Sequence, residues 1–304
     1  MNDMVLETYD LEKRYGKFIA VDNLSLKIRK RSIYGLVGEN GAGKSSLMKM
    51  LSGLSNKTKG EIKLLGKDVT RHSSKFMQVG NLIEAPCLYD NLNAYENLKL
   101  KSLAYGIKDE NKILSILQTV GLYDQNNKNV KSFSLGMKQR LAIAMAMVNS
   151  PKLLILDEPI NGLDPQGIID IRKTLQDINK KYGTTIIISS HILDELARLA
   201  TDFGIISHGK LIAEFSSKDL HDRCQSKIEI TCNDVKKASY ILRKNAYQNE
   251  IISNNKLILI DYFNKTHLIN SLLVNNSIDV YSIYLTEMSF EDYYMEMIQN
   301  EKSN

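Results

Sequence analysis

Several things are scarce in this chain of 304 residues, and each shortage removes a class of reading. Cysteine is rare. Cys87, Cys224 and Cys232 are odd in number, and their spacing matches neither a metal site nor a disulfide framework. A reducing cytosol is the expected setting. Long apolar runs are missing as well. No stretch approaches the ~18 consecutive apolar residues that would mark a membrane-spanning helix. Met1, Asn2 and Asp3 do not read as the start of a signal peptide. The chain is therefore expected not to span a membrane itself. An excess of one charge is also lacking. Against 40 basic residues stand 35 acidic ones, for a net charge of +5. That balance suits a membrane-surface partner and is too weak to argue for nucleic acid. Internal repeats and low-complexity tracts are absent. The basic run Lys27, Arg29, Lys30, Arg31 lies between two apparent strands and reads as a solvated hairpin turn.

What the chain does have is a phosphate-binding loop. Gly38, Glu39, Asn40, Gly41, Ala42, Gly43, Lys44 and Ser45 fit G-x-x-x-x-G-K-[ST], and Ser46 follows directly. The apolar run at 33–37 precedes the loop and reads as a buried strand. Residues 44–54 follow, with Leu47, Met50, Leu51 and Leu54 at helical spacing. The glycines let successive N–H groups face a phosphate chain, and the helix N-terminus adds a favourable dipole. Lys44 is expected on the β- and γ-phosphates and Ser45 on Mg²⁺.

At about 100–200 residues per domain, the length suggests two domains. Residues 4–28 alternate, with Leu24, Leu26 and Ile28 opposite Ser25 and Lys27, as in an antiparallel sheet. Further short strands occupy 60–83, ending in the run 76–83. Residues 93–148 turn helical, with Tyr95, Leu98, Tyr105, Ile113, Ile116 and Leu117 among the apolar positions. A loop holding Pro86 and Tyr89 precedes them. Residues 152–158 form a continuous apolar run ending in Asp157 and Glu158, as a buried parallel strand does. Residues 184–191 repeat that plan and end in His191. A hairpin over 203–215 closes the first domain, 1–220. Beyond a junction at 216–226, the second domain, 221–304, carries the order β-α-β-β-α-β of a ferredoxin-like fold and a final helix capped by Ser289. Its apolar face carries Phe290, Tyr293, Tyr294 and Met297, and an earlier helix carries Leu268, Ile269, Leu272 and Leu273.

The acidic pair extends the phosphate-loop chemistry. Asp157 supplies the second acidic metal contact, usually through water. Glu158, one residue on, is placed to accept a proton from an attacking water. His191, at the tip of a neighbouring strand, can donate to the γ-phosphate.

The run Phe133, Ser134, Leu135, Gly136, Met137, Lys138, Gln139, Arg140, Leu141 resembles the signature of ABC-transporter ATPases. Pro159 to Asp164 is similar to their D-loop, and His191 to their switch histidine. The order and spacing of these parts match over 4–215. The resemblance implies a P-loop ABC ATPase domain: parallel core sheet, antiparallel β subdomain and helical subdomain. It implies ATP and Mg²⁺ as cofactors and a head-to-tail dimer. In that dimer, ATP lies between the phosphate loop of one subunit and Ser134, Gly136 and Met137 of the other. Tyr15 matches the aromatic that stacks on adenine, and Asp164 the residue that bridges subunits. Leu135 and Met137 depart from the usual glycine and glutamine of the signature. Glu84 stands where most relatives have glutamine, and a carboxylate there can bind the metal as an anion. With Ile83, Ala85, Pro86, Tyr89 and the run Asn93, Ala94, Tyr95, Glu96, Asn97 it resembles the E-loop of bacitracin-resistance and lantibiotic-immunity transporters.

That resemblance implies the ATPase subunit of a bacterial exporter, peripheral on the cytoplasmic face of the membrane. Separate permease subunits would be contacted near 84–97, and a peptide antibiotic would be the cargo without touching this chain. A general drug, lipid or ion exporter is the alternative. A translation or repair ATPase of the superfamily is disfavoured, because the chain has one ATPase half and no room for a coiled coil between 45 and 133. A small-molecule kinase would leave the signature unexplained.

Overall fold

The computed structural model describes residues 3–70, 73–84, 87–125, 127–224, 227–260, 262, 265–286 and 288–302. It divides into two compact units, Met1–Ser217 and Lys218–Asn304.

The first unit opens with two long antiparallel strands, β1 (Met4–Tyr15) and β2 (Phe18–Arg29). Leu24, Leu26 and Ile28 are buried while Ser25 and Lys27 are exposed, as period-two alternation requires. The chain then enters β3 (Ile33–Val37), buried along its whole length, and α1 (Lys44–Leu51). Next come β4 (Lys59–Leu64), β5 (Lys67–Asp68) and β6 (Val79–Leu82). The helical part follows as α2 (Ala94–Ala104), α3 (Glu110–Thr119) and α4 (Leu135–Met147). It leads into β7 (Leu153–Leu156), α5 (Pro165–Tyr182), β8 (Thr185–Ser189), α6 (Leu193–Ala197), β9 (Asp202–Ser207) and β10 (Lys210–Ser216).

These strands form two sheets. The antiparallel one runs β2-β1-β4-β5 and the core one β10-β9-β3-β8-β7-β6. In the core sheet β9, β3, β8, β7 and β6 pair in parallel, and only β10 runs against its neighbour. β3, β7 and β8 are buried along their whole length because the sheet is covered on both faces. One hydrophobic cluster joins Leu6, Leu24, Leu26 and Ile62 of the antiparallel sheet to Leu47, Met48 and Leu51 of α1 and to Leu36 and Ile155 of the core sheet.

Several sequence expectations are corrected here. The basic run at 27–31 is exposed except for Ile28, yet it closes no hairpin, because β2 and β3 belong to different sheets. The helix after the phosphate loop stops at Leu51. Gly53, at φ 77°, lies just past the end and leaves Leu54 exposed. Residues Ser74–Gln78 form a 3₁₀ turn, so the strand is confined to Val79–Leu82. Tyr105 caps α2 on the surface and does not join the core. Pro86 lies outside the described residues.

The second unit begins with α7 (Ser217–Arg223), which starts at the boundary. It continues with β11 (Lys227–Cys232), α8 (Val235–Lys244), β12 (Glu250–Ser253), β13 (Lys256–Ile260), α9 (Thr266–Asn275), β14 (Val280–Thr286) and α10 (Phe290–Lys302). Its sheet order, β12-β13-β11-β14, is antiparallel throughout and is that of the split βαβ fold. Ile228, Ile230, Leu242, Leu257, Leu259 and Leu273 form its own core. Leu268 points outward from α9. The Asp292 N–H donates to Ser289 Oγ, and the Ser289 N–H donates to the Asp292 carboxylate, a reciprocal cap at the start of α10. Phe290, Tyr293, Tyr294 and Ile298 are buried, with Met297 half-buried beside them.

Candidate nucleotide site

Parallel pairing brings four strand ends to one edge of the core sheet. The phosphate loop leaves β3, Asp157 and Glu158 leave β7, His191 follows β8, and Glu84 follows β6. Ligands bind at this edge in open α/β sheets.

The loop is wedged in place by its neighbours. Gly43 is the N-cap of α1 at φ 106°, a conformation that suits a residue without Cβ. A Cβ there would collide with the Ala20 carbonyl oxygen of β2. The Gly209 N–H, in the turn between β9 and β10, donates to the Ala42 carbonyl at 2.9 Å, and the Asp22 N–H to the Gly209 carbonyl at 2.9 Å. Lys44 is 6% exposed and its Nζ donates to the carbonyls of Gly38 at 2.6 Å and Glu39 at 3.1 Å. Burial lowers its pKa, while the carboxylates of Glu158 and Asp157 pull it back up.

The acidic pair is tied to the tip of β8. Ser189, fully buried, donates its hydroxyl to Asp157 Oδ1 at 2.6 Å and accepts the Glu158 N–H at 2.8 Å. Glu158 sits at φ 49°, in the left-handed region. Its Oε2 lies 2.8 Å from His191 Nδ1. Glu158 and His191, separate in sequence, thus form a hydrogen-bonded pair.

Glu84, at φ 67°, turns to Lys49 of α1 and makes an ion pair with it. Lys49 also lies within electrostatic reach of Tyr15 and Asp157. Tyr15 is 49% exposed and has the Lys13 ammonium 4.8 Å from its ring centroid. Burial raises its phenol pKa, but hydrogen bonds with Ser46 and Ser55 and the charges of Lys13 and Lys49 outweigh it and lower the net value. Tyr15 and Ser46 therefore lie together beside the loop.

The signature lies at the start of α4, in the helical part. Ser134 caps α4, accepting the Met137 N–H at 3.3 Å, and Ser134 and Leu135 are exposed. Space for a Cβ on Gly136 lies 3.8 Å from Leu163 and Gly167, so the signature packs beside the start of α5. Asp164 is the N-cap of α5, accepting the Gly167 N–H at 3.1 Å. Pro165 follows at the position where a missing N–H costs nothing.

Ser45, Asp157 and Glu84 offer only oxygen donors, the chemistry that Mg²⁺ takes. A phosphate-bound Mg²⁺ is ordinarily held by one or two carboxylates, with water and substrate oxygens completing its shell. Among the described residues no cluster of three or more His, Cys, Asp or Glu side chains could hold a metal alone. The donor set fits an ion that arrives with a nucleotide.

Sequence reasoning missed Ser189 and Lys49. Asn97 is fully buried. It accepts the Tyr89 N–H at 2.9 Å and donates to the carbonyls of Tyr89 and Asn93, clamping the turn before α2 while Tyr89 stays exposed. The polar tip of 184–191 was the one signal for Ser189. Among the described residues no helix is long and apolar enough to cross a membrane.

The ABC transporter family profile matches residues 21–161. The chain is 38% identical to the bacitracin transport ATP-binding protein BcrA of Bacillus licheniformis, over 97% of both chains. It is 48% identical to the lantibiotic transport ATP-binding protein SrtF of Streptococcus pyogenes, over 69% of this chain and 90% of that one. A solved ATP-binding subunit of an ABC transporter superposes with a TM-score of 0.63 at 30% identity, covering 72% of this chain and 92% of that one. The chain belongs to the ATP-binding, ATP-hydrolysing subunits of the ABC transporter family.

Proposed function

We propose that this protein powers a bacterial exporter that removes bacitracin- or lantibiotic-type peptides. The observation that carries this reading is its likeness, along 97% of its length, to a bacitracin transport ATP-binding protein. Glu84, in an E-loop-like context, supports it. The linearmycin resistance ATP-binding protein LnrL of Bacillus subtilis, 31% identical over 96% of the chain, favours a second reading in which the cargo is another drug.

The proposed residue roles are those the family likeness implies, and the Lys44, Glu158 and His191 contacts support them. Incoming phosphate oxygens replace the Gly38 and Glu39 carbonyls as partners of Lys44. Ser45, Asp157 and Glu84 would hold Mg²⁺, which would neutralise phosphate charge. Glu158 takes a proton from the attacking water. His191 holds the Glu158 carboxylate through Nδ1 and turns Nε2 toward the γ-phosphate. Tyr15 stacks on the adenine. Ser134, Gly136 and Met137 meet the γ-phosphate bound to a second copy, and Asp164 bridges the copies. Residues 84–97, with exposed Tyr89, contact separate permease subunits, which keep the protein at the cytoplasmic face of the membrane. The cargo does not touch this chain.

The test is a survival profile. Deletion of the gene is expected to sensitise the host to bacitracin or to one lantibiotic class. Wild-type protein should restore resistance and Glu158→Gln should not. Glu158→Gln should still bind ATP, lose most turnover and accumulate as an ATP-bound dimer. Sensitivity confined to unrelated drugs would favour the second reading.

A further inference from the structure

We propose that Ser189 is a positioning residue for ATP hydrolysis: its single hydroxyl locks the Asp157 carboxylate and the Glu158 backbone into one arrangement. The proposal rests on the roles given above to Asp157 and Glu158.

The sheet order puts β8 between the strand of the phosphate loop and the strand of the acidic pair. Ser189 pairs with Leu36 in the ladder on one side, while β7 lies on the other. Its side chain is fully buried, so water does not substitute for it. A hydroxyl has one proton to give and lone pairs to accept with. Here the proton goes to Asp157 Oδ1, and a lone pair takes the Glu158 N–H. Both bonds are short, at 2.6 Å and 2.8 Å.

The second bond matters because Glu158 adopts φ 49°, a conformation that is costly for a residue with a Cβ. The Ser189 oxygen holds that turn through the backbone N–H. His191, two residues further on, holds the carboxylate of the same glutamate. The neighbouring Ser190 does nothing similar: its hydroxyl accepts the local Ile192 N–H. Of the two serines, Ser189 is the one that reaches across to β7. Its loss would therefore disturb the metal ligand and the base together, while the phosphate loop, held by β2 and the turn at Gly209, would stay in place.

The experiment uses the full chain with Ser189→Ala, Ser189→Thr and Glu158→Gln. Affinity for a fluorescent ATP analogue is measured in EDTA and in Mg²⁺, alongside kcat and KM. For Ser189→Ala, affinity in EDTA should remain within about twofold of wild type. The gain in affinity on adding Mg²⁺ should shrink roughly tenfold and kcat should fall at least about tenfold, the factor that corresponds to about 1.4 kcal/mol. Ser189→Thr keeps the hydroxyl and should recover both. Should Ser189→Ala fail to fold, Ser189→Cys keeps the bulk, weakens both bonds and is read in the same way.

A folded variant with an unchanged Mg²⁺ gain and unchanged kcat would overturn the proposal. So would a parallel loss of affinity in EDTA, which marks a packing role alone, or failure of Ser189→Thr to recover. Near-normal turnover by Glu158→Gln would instead overturn the general-base reading, leaving the Mg²⁺ gain to judge the Asp157 half.

Discussion

The stacking role proposed for Tyr15 falls on an exposed side chain that is held in advance. Half its surface is open, yet its phenol is held by Ser46 and Ser55 and its ring faces Lys13. Such a ring is fixed before a base arrives, so little freedom is lost on stacking. Tyr15→Ala is expected to weaken ATP binding by ~1–3 kcal/mol, the scale of base–aromatic stacking, as read by nucleotide titration. Unchanged affinity would return Tyr15 to a surface role. Glu84 poses the opposite situation. Its carboxylate pairs with Lys49, so in its proposed role the metal would compete with an ammonium for it. Glu84→Gln removes that competition and one negative charge. The Mg²⁺ concentration for half-maximal hydrolysis should shift, peptide resistance should fall, and the melting temperature should not change. If resistance and metal response both stayed at wild-type levels, the carboxylate would be incidental.

Among the elements, β9 carries a constraint that its sequence does not announce. Gly204 faces the buried Tyr34 ring of β3, and a Cβ there would collide with the phenol oxygen and lie 2.9 Å from Cζ. The phenol cannot simply withdraw, because it donates to Glu214 of β10 at 2.8 Å. Burial raises the pKa of Tyr34 well above its ordinary value, and the nearby Glu214 carboxylate raises it further, so it remains a donor. Gly204→Ala is expected to destabilise the first unit by about 1–3 kcal/mol through overpacking, seen as a lower thermal midpoint. Adding Tyr34→Phe should relieve part of the strain. A midpoint equal to that of wild type would show that β9 and β3 shift apart at little cost.

At the scale of the whole molecule, the two units have separate cores, one around Leu6, Leu36 and Leu51 and the other around Ile228, Leu242 and Leu257. The Streptococcus pyogenes lantibiotic relative matches over 210 residues, which is 90% of its length, so little of it remains for a second unit. The cassette is therefore a reasonable folding unit by itself. Residues 1–217 are expected to fold cooperatively and to bind an ATP analogue with an affinity close to that of the full chain. Circular dichroism melting and nucleotide titration test this. An insoluble fragment, or one that no longer binds nucleotide, would show that the C-terminal unit contributes to the cassette itself.

The parts of this protein set by short stretches of sequence were legible from sequence alone. The phosphate loop needs its glycines, lysine and serine at fixed places within eight residues, so the strand–loop–helix unit around Lys44 could be placed directly. The buried strands showed as uninterrupted apolar runs, because a parallel strand covered on both faces has no polar side. The β-α-β-β-α-β order of the second unit followed from periodicity alone. What depends on which strands become neighbours was decided by the tertiary structure. The basic run at 27–31 resembled a hairpin turn because both its flanks are strands, but β2 and β3 join different sheets. The helix after the loop stopped at Leu51 and left Leu54 outside. Ser189 acquired its two partners only because β8 lies between β3 and β7. In the sequence it is 32 residues from Asp157, and no local pattern connects them. Hydrophobic burial and backbone hydrogen bonding select the strand order, and that order brings one buried hydroxyl to the two carboxylate residues of the site.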